Sequence, residues 1–249
     1  MHKYQEKHFD QILIANNIIP IDLNEKKLAL DLVAQKEKFI LEDAAKAIKY
    51  NKNILQLNGK YTLNQYICEI QKITNQYYLL YIQISQFEAF LRTYINHRMI
   101  KVYGDKWHQD IIMDDLDDFK KSSIKKLDKP SQALNSISFG TLELIFLNGS
   151  RYLNVFEKYI KYDKILAKDG KHKYRNKDML KPLFSIVRNA RNDICHHRRI
   201  GESIKSNPKY TKQKMTKSEV LNALEDLKIL LGYNNVFDVK SIELKYNDF

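Results

Sequence analysis

The sequence predicts an all-α protein, a helical bundle with an N-terminal helical extension. Helix-breaking residues are scarce, with seven Gly and four Pro in 249 residues. Apolar residues also recur at helical spacing over long segments. Few breakers and sustained helical periodicity together favour helices joined by short connections.

The first 60 residues are expected to form the extension. A helix is predicted over residues 5–16, and one or two more between 28 and 48. The Asn-Gly pair within 57–61 predicts a tight turn, with a small hairpin as one way of forming it.

Residues 61–233 are expected to form the main helical domain, followed by a terminal tail at 234–249. The predicted elements are a helix over 63–74, a long helix over 76–103 ending at Gly104, two helices within 131–160 separated at Asn148-Gly149, and a last helix from the capping box of Thr216 and Glu219 to Gly232.

The formal net charge of +12 favours an anionic partner, with RNA first and DNA or an acidic membrane surface after it. The two cysteines, Cys68 and Cys195, are far apart and form no metal-ligand spacing, which is typical of a reducing compartment. The sequence opens without a hydrophobic signal core, and no apolar run reaches the length of a membrane span. We therefore expect a cytoplasmic protein that requires neither a membrane nor a cofactor.

An acidic run invites a metal-site hypothesis and contains Asp114, Asp115, Asp117 and Asp118. Consecutive carboxylates on a helix point in different directions, and the run lacks the glycine and spacing of a calcium loop. Acidic residues in this position favour a helix N-terminus through the helix dipole. The structural interpretation is preferred, and no metal is predicted.

The stretch from Ser185 to Arg199 predicts an amphipathic helix with an unusual polar face. Its apolar stripe consists of Ile186, Val187, Ala190 and Ile194. Its polar face carries Ser185, Arg188, Arg191, Asn192, Cys195, His196 and Arg199. A solvated helix face usually mixes basic with acidic residues, whereas this face has three arginines, a histidine and no acid.

These side chains suit RNA cleavage. An imidazole titrates near neutral pH and can move the proton of a 2′-hydroxyl or a leaving oxygen, and a guanidinium can stabilise charge on a phosphate. Asn192 lies four residues before His196 and could orient its ring. On a continuous helix Arg191 and His196 lie about 140° apart, which favours a homodimer with a composite site.

Three motifs resemble those of a known family. Residues 191–197 resemble the R-N-x-x-x-H motif of HEPN-domain ribonucleases. Residues 138–142, S-F-G-T-L, match a signature of Abi-like (AbiD/AbiF) abortive-infection proteins, and residues 87–92 resemble the F-E-x-x-L-R helix of that branch. The motifs occur in family order, and Asp193 and Cys195 stand where relatives often carry apolar or small residues.

The resemblance implies a HEPN-type bundle and a metal-independent endoribonuclease that leaves a 2′,3′-cyclic phosphate. It assigns general acid or base catalysis to His196, transition-state stabilisation to Arg191 and an orienting role to Asn192. Arg188 would support the site by holding phosphate. It further implies an antiphage toxin whose antitoxin is a protein or a noncoding RNA.

Glu88 has two interpretations. It lies four residues before Arg92, so the two can form an ordinary solvated ion pair. The resemblance implies instead that Glu88 lies against the helix of Arg191 and His196 and orients one of them.

Basic segments at 161–178 and 201–215 flank this helix and could contact the RNA backbone, with Tyr174 and Tyr210 stacking on bases. Plain solubility explains such charge runs equally well. The predicted RNA-binding residues are Arg198, Arg199, Lys171, Lys173 and Arg175.

Alternative functions are a non-catalytic RNA-binding HEPN scaffold and a DNA-binding regulator, although the latter lacks a recognisable helix-turn-helix. His197 is interpreted as a half-buried, hydrogen-bonded residue rather than a catalyst. A Cys195 nucleophile is disfavoured because no cysteine-protease context accompanies it.

Overall fold

The computed structural model describes residues 2–19, 23–33, 36–51, 54–110, 118–147, 155–161, 176–202 and 215–233. These residues are mainly helical, as predicted. The helices are α1 (His2–Ala15), α2 (Leu23–Val33), α3 (Lys38–Tyr50), α4 (Leu63–Tyr103), α5 (Trp107–Asp110), α6 (Asp118–Lys125), α7 (Pro130–Asn135), α8 (Phe139–Leu147), α9 (Lys181–Cys195) and α10 (Lys217–Leu231). Short 3₁₀ helices span Glu157–Tyr159 and Lys177–Leu180, and two-residue strands are β1 (Ile18–Ile19) and β2 (Tyr61–Thr62).

The chain divides into two compact units. One comprises Met1–Leu80 and Asp193–Ser203, and the other comprises Tyr81–Asn192 and Ile204–Phe249. The predicted extension of residues 1–60 therefore falls within the first unit, which also includes part of α4 and the residues at and beyond the end of α9.

The core of the first unit is formed by α1, α3 and the N-terminal part of α4. Phe9 stacks on Tyr66 with ring centroids 6.2 Å apart, and the Tyr66 hydroxyl donates a 2.8 Å hydrogen bond to the Leu41 carbonyl. Burial raises the pKa of Tyr66 well above its ordinary range, so the phenol stays protonated.

The predicted turn after Leu57 is confirmed. Asn58 and Gly59 both have positive φ, and Leu57 and Lys60 exchange backbone hydrogen bonds of 2.8 and 3.0 Å. The following strand β2 pairs in parallel with β1, with Ile18 opposite Tyr61.

An aromatic cluster lies at the core of the second unit. Phe184 of α9 contacts Phe87 of α4 and both Phe139 and Phe146 of α8, with centroid distances of 5.2 to 6.5 Å. These rings are fully or almost fully buried, so the helix that carries Arg191 is fixed by its apolar face.

The helix boundary predicted near residue 75 is wrong. The helices expected at 63–74 and 76–103 form the single 41-residue helix α4, which ends at Gly104 as predicted. Asn75 lies on its exposed side, and neither Gly nor Pro interrupts the backbone there. The capping box of Thr216 and the left-handed Gly232 at the two ends of α10 are confirmed.

Within the described ranges, no helix is long and apolar enough to cross a membrane. The carboxylates at 114, 115 and 117 and the residues of the terminal tail lie outside the described residues, and α6 begins at Asp118.

Candidate functional site

Glu88 links two arginines in the second unit. Its Oε1 accepts a 2.5 Å hydrogen bond from Arg92, and its Oε2 lies 3.5 Å from Nε of Arg191. Arg92 also donates to the Leu134 and Ile137 carbonyls. The predicted ion pair of Glu88 with Arg92 is present, but it is largely buried rather than solvated, and the same carboxylate also lies against Arg191.

The Arg191 side chain is about one-third exposed (34%). Its Nη atoms make no hydrogen bond in the part of the chain that the structure describes, and its ion-pair contact with Glu88 is at Nε. The guanidinium is therefore oriented on one side while its terminal nitrogens remain available to an anion.

The S-F-G-T-L segment supports this arrangement through packing. Ser138 begins α8 by accepting a 3.2 Å hydrogen bond from the Thr141 N–H. A Cβ added at Gly140 would lie 3.4 Å from Cδ of Arg188. This is an ordinary van der Waals distance, so α8 and α9 pack closely against each other at Gly140.

Arg188 forms a 2.5 Å ion pair with Glu143 of α8. Glu143 is almost fully buried, whereas Arg188 is one-third exposed. Burial raises the pKa of Glu143 above its ordinary value, although the Arg188 charge and hydrogen bond act in the opposite direction. This pairing gives Arg188 a structural role, and its predicted contact with phosphate stays a prediction.

The raised pKa of Glu143 has a consequence for stability. The folded protein retains this proton at pH values where the unfolded chain has released it, so stability falls as the pH rises through the raised folded pKa. Replacing Arg188 by Met removes the compensating charge, and we expect a loss of about 2–3 kcal/mol at pH 7 that shrinks toward pH 5. Urea unfolding at several pH values measures this, and the Arg188→Met/Glu143→Gln double variant should lack the extra pH dependence.

The helix predicted to continue through Arg199 instead ends at Cys195. The His197 N–H bonds to the Ile194 carbonyl (3.1 Å), and the Arg198 N–H bonds to the Asp193 carbonyl (2.8 Å). His197 has the left-handed φ of 54° that completes this Schellman ending. His196 is therefore the C-cap of α9, and the chain leaves the helix at His197.

The His196 side chain is exposed and has no hydrogen-bond partner among the described residues. Asn192 is half-buried and likewise lacks a partner there. His197, predicted to be half-buried, is 74% exposed and lies 3.0 Å from Glu37. Cys195 is an exposed, free thiol.

Contacts within the first unit hold the turn that follows α9. Asp193 is completely buried, and its Oδ2 accepts a 2.8 Å hydrogen bond from the Gly201 N–H. The Ile200 N–H donates to the Tyr77 hydroxyl at 3.4 Å. The exposed histidine therefore belongs to a turn with buried anchors.

Arg199 is held by carboxylates rather than open to RNA. It donates to both oxygens of Asp43 at 2.9 and 3.1 Å and to Glu42 at 3.3 Å, and it lies over the Phe39 ring. These contacts favour a structural role. Arg198, by contrast, is exposed and has no carboxylate partner within the described chain.

The remaining predicted RNA-binding residues, Lys171, Lys173 and Arg175, lie outside the described residues, as do Tyr174 and Tyr210. In the described part, no group of three or more His, Cys, Asp or Glu side chains could hold a metal ion.

Sequence reasoning missed the buried role of Asp193. The only local signal was that Asp193 lies on the flank of an otherwise apolar stripe. The residue that hydrogen-bonds to it, Gly201, lies beyond the end of the helix.

No protein-family model, curated protein or solved structure matches this chain.

Proposed function

We propose that the protein is a metal-independent endoribonuclease whose reaction depends on Arg191 and His196. The attacking group would be the 2′-hydroxyl of the RNA itself, so no metal-activated water is needed. His196 would transfer the proton of the attacking or leaving oxygen, and Arg191 would stabilise charge on the phosphate. Asn192 would orient these groups, and Arg198 would contact the RNA backbone.

The main support is the contrast between Arg191 and the neighbouring cations. Arg188 and Arg199 pair with carboxylates at 2.5 and 2.9 Å, whereas the ion-pair distance of Arg191 is 3.5 Å. His196 is exposed at the C-terminus of α9 and has no hydrogen-bond partner among the described residues. One oriented guanidinium and one accessible imidazole are the groups that transesterification of RNA requires.

The biological part of the proposal comes from the family resemblance. The protein would be a cytoplasmic toxin of an antiphage abortive-infection or toxin-antitoxin system, restrained by a protein or noncoding RNA. We also propose a homodimer with a HEPN-type bundle. The family resemblance supports this assembly, together with the separation of about 140° expected between residues five positions apart on a helix.

The test is incubation of the purified protein with mixed RNAs in EDTA. We expect cleavage without added metal and fragments that carry 2′,3′-cyclic phosphates, which end analysis by mass spectrometry identifies. Cleavage that requires Mg²⁺, or fragments with 3′-hydroxyl ends, would contradict the mechanism.

A non-catalytic RNA-binding scaffold is the second candidate. The pairing of Arg191 with Glu88 favours it, because a nearby carboxylate weakens the field that a transition state would experience. RNA binding without cleavage by the wild-type protein would support the scaffold.

A further inference from the structure

A group of cations surrounds one tyrosine in the second unit. The Arg98 guanidinium lies 3.4 Å from the centre of the Tyr159 ring and 5.2 Å from that of Tyr94. The Lys158 ammonium lies 5.0 Å from the Tyr159 ring centre, and Lys101 is close enough to influence the phenol. We refer to Arg98, Lys101, Lys158 and Tyr159 as the Tyr159 cluster.

The cluster differs from the arginines near the proposed active site in having no carboxylate. Arg92, Arg188 and Arg199 each form an ion pair with Glu or Asp. In the described part of the chain, no such pair involves a cation of the Tyr159 cluster. The protein has 42 basic and 30 acidic residues, and this cluster is one place where the excess positive charge is uncompensated.

The surrounding positive charge affects the pKa of the Tyr159 phenol. Desolvation would raise the pKa of the phenol, but the hydrogen bond to Lys158 and the charges of Lys158, Lys101 and Arg98 lower it. The cluster therefore favours negative charge at its surface.

We propose that the Tyr159 cluster binds single-stranded RNA at a site separate from Arg191 and His196. Lys101 and Lys158 are exposed and suited to phosphates. Tyr159 is partly exposed, and an aromatic ring backed by a guanidinium is a stacking platform for an unpaired base. This combination favours a single strand over a duplex, because the stacked bases of a duplex could not reach the ring. It also favours RNA over an acidic protein, because binding carboxylates requires no aromatic platform.

The site would hold an RNA strand whether or not the protein cleaves it. The inference shares with the proposed function only the assumption that RNA is the ligand. Binding is therefore measured in a His196→Ala background, where the proposed cleavage cannot alter the RNA.

The test variant is Lys101→Glu/Lys158→Glu, measured by fluorescence anisotropy with a labelled single-stranded oligonucleotide over a range of salt concentrations. Affinity should fall about tenfold or more, and the slope of log K against log salt should decrease by about 1.4, the value for two single-strand phosphate contacts. The matched control is Lys72→Glu/Lys181→Glu, since both lysines are 58% exposed and paired with a carboxylate three residues away. Its net charge change is the same, and its affinity should fall less than about threefold.

Tyr159 is tested separately. Tyr159→Ala should weaken single-stranded binding severalfold and leave duplex binding unchanged, and Tyr159→Phe should restore the single-stranded affinity because the ring is retained. Circular dichroism and unfolding midpoints establish that each variant folds.

Equal losses in the test and control double variants would overturn the proposal, as would a full loss in Tyr159→Phe. A wild-type protein that binds through the cluster yet cleaves nothing would overturn the proposed function and leave this inference intact. If the wild-type protein cleaves RNA but the test variant binds it with unchanged affinity, this inference is overturned and the proposed function remains.

Discussion

Replacing His196 by Ala is expected to reduce RNA cleavage by about 100- to 10,000-fold, with RNA binding retained. The imidazole is exposed at the end of α9 and makes no described contact, so its removal should not perturb folding. Single-turnover cleavage of a labelled RNA measures the effect, and anisotropy measures binding.

His197→Asn is the matched control. It removes the neighbouring imidazole while keeping a residue type that tolerates the left-handed conformation found there. We expect less than a threefold change in cleavage, because His197 already contacts Glu37 at the surface. Equal losses of cleavage in His196→Ala and His197→Asn would show that cleavage depends on the structure of the turn and not on the His196 imidazole.

The same variant tests the composite dimer. His196→Ala mixed with Arg191→Ala should regain about a quarter of wild-type activity if each site takes one residue from each subunit, because half of the random dimers then have one intact site. No recovery after verified subunit exchange would place both residues of a site on one chain.

Local patterns predicted many of the helix ends. Gly104 and Gly232 adopt the left-handed conformation that ends helices, and Thr216 with Glu219 forms a capping box. Such signals depend on neighbouring residues alone, so the sequence contains them in full. The boundary expected near Asn75 failed because a polar residue on an exposed face does not interrupt a helix.

The end of α9 could not be predicted in this way. The left-handed position at its end is occupied by His197, where helices that end in this conformation usually have Gly. What holds the turn is distant in the chain, since Arg199 contacts Asp43 at a separation of 156 residues and Ile200 contacts Tyr77 at 123. Long-range ion pairs and hydrogen bonds of this kind leave no periodic pattern in a sequence.

The candidate site was predictable to a different extent. The family resemblance, rather than spacing, indicated that Glu88 reaches the helix of Arg191. Helical periodicity, by contrast, treated the polar face of that helix as one reactive surface. The structure separates it, because Arg188 is used to neutralise the buried Glu143.

Asp193→Ala should produce the largest change in stability, about 3 kcal/mol in the free energy of unfolding. The side chain is completely buried, and its removal leaves the Gly201 N–H without its acceptor. Gly201 has a φ of 85°, so the turn has little freedom to find another partner. Urea unfolding midpoints, at unchanged slope, measure the loss.

Asp193→Asn and Asp43→Asn distinguish this anchor from ordinary electrostatics. Asparagine at 193 keeps an oxygen that can accept from Gly201 and should cost about 1 kcal/mol. Asp43 is 31% exposed, so weakening its pair with Arg199 should cost less than about 1 kcal/mol.

If the turn positions His196, then cleavage should fall in Asp193→Ala at a temperature where the variant remains folded, and Asp193→Asn should recover it. A stable Asp193→Ala protein with full activity would mean that neither the fold nor His196 depends on this buried carboxylate.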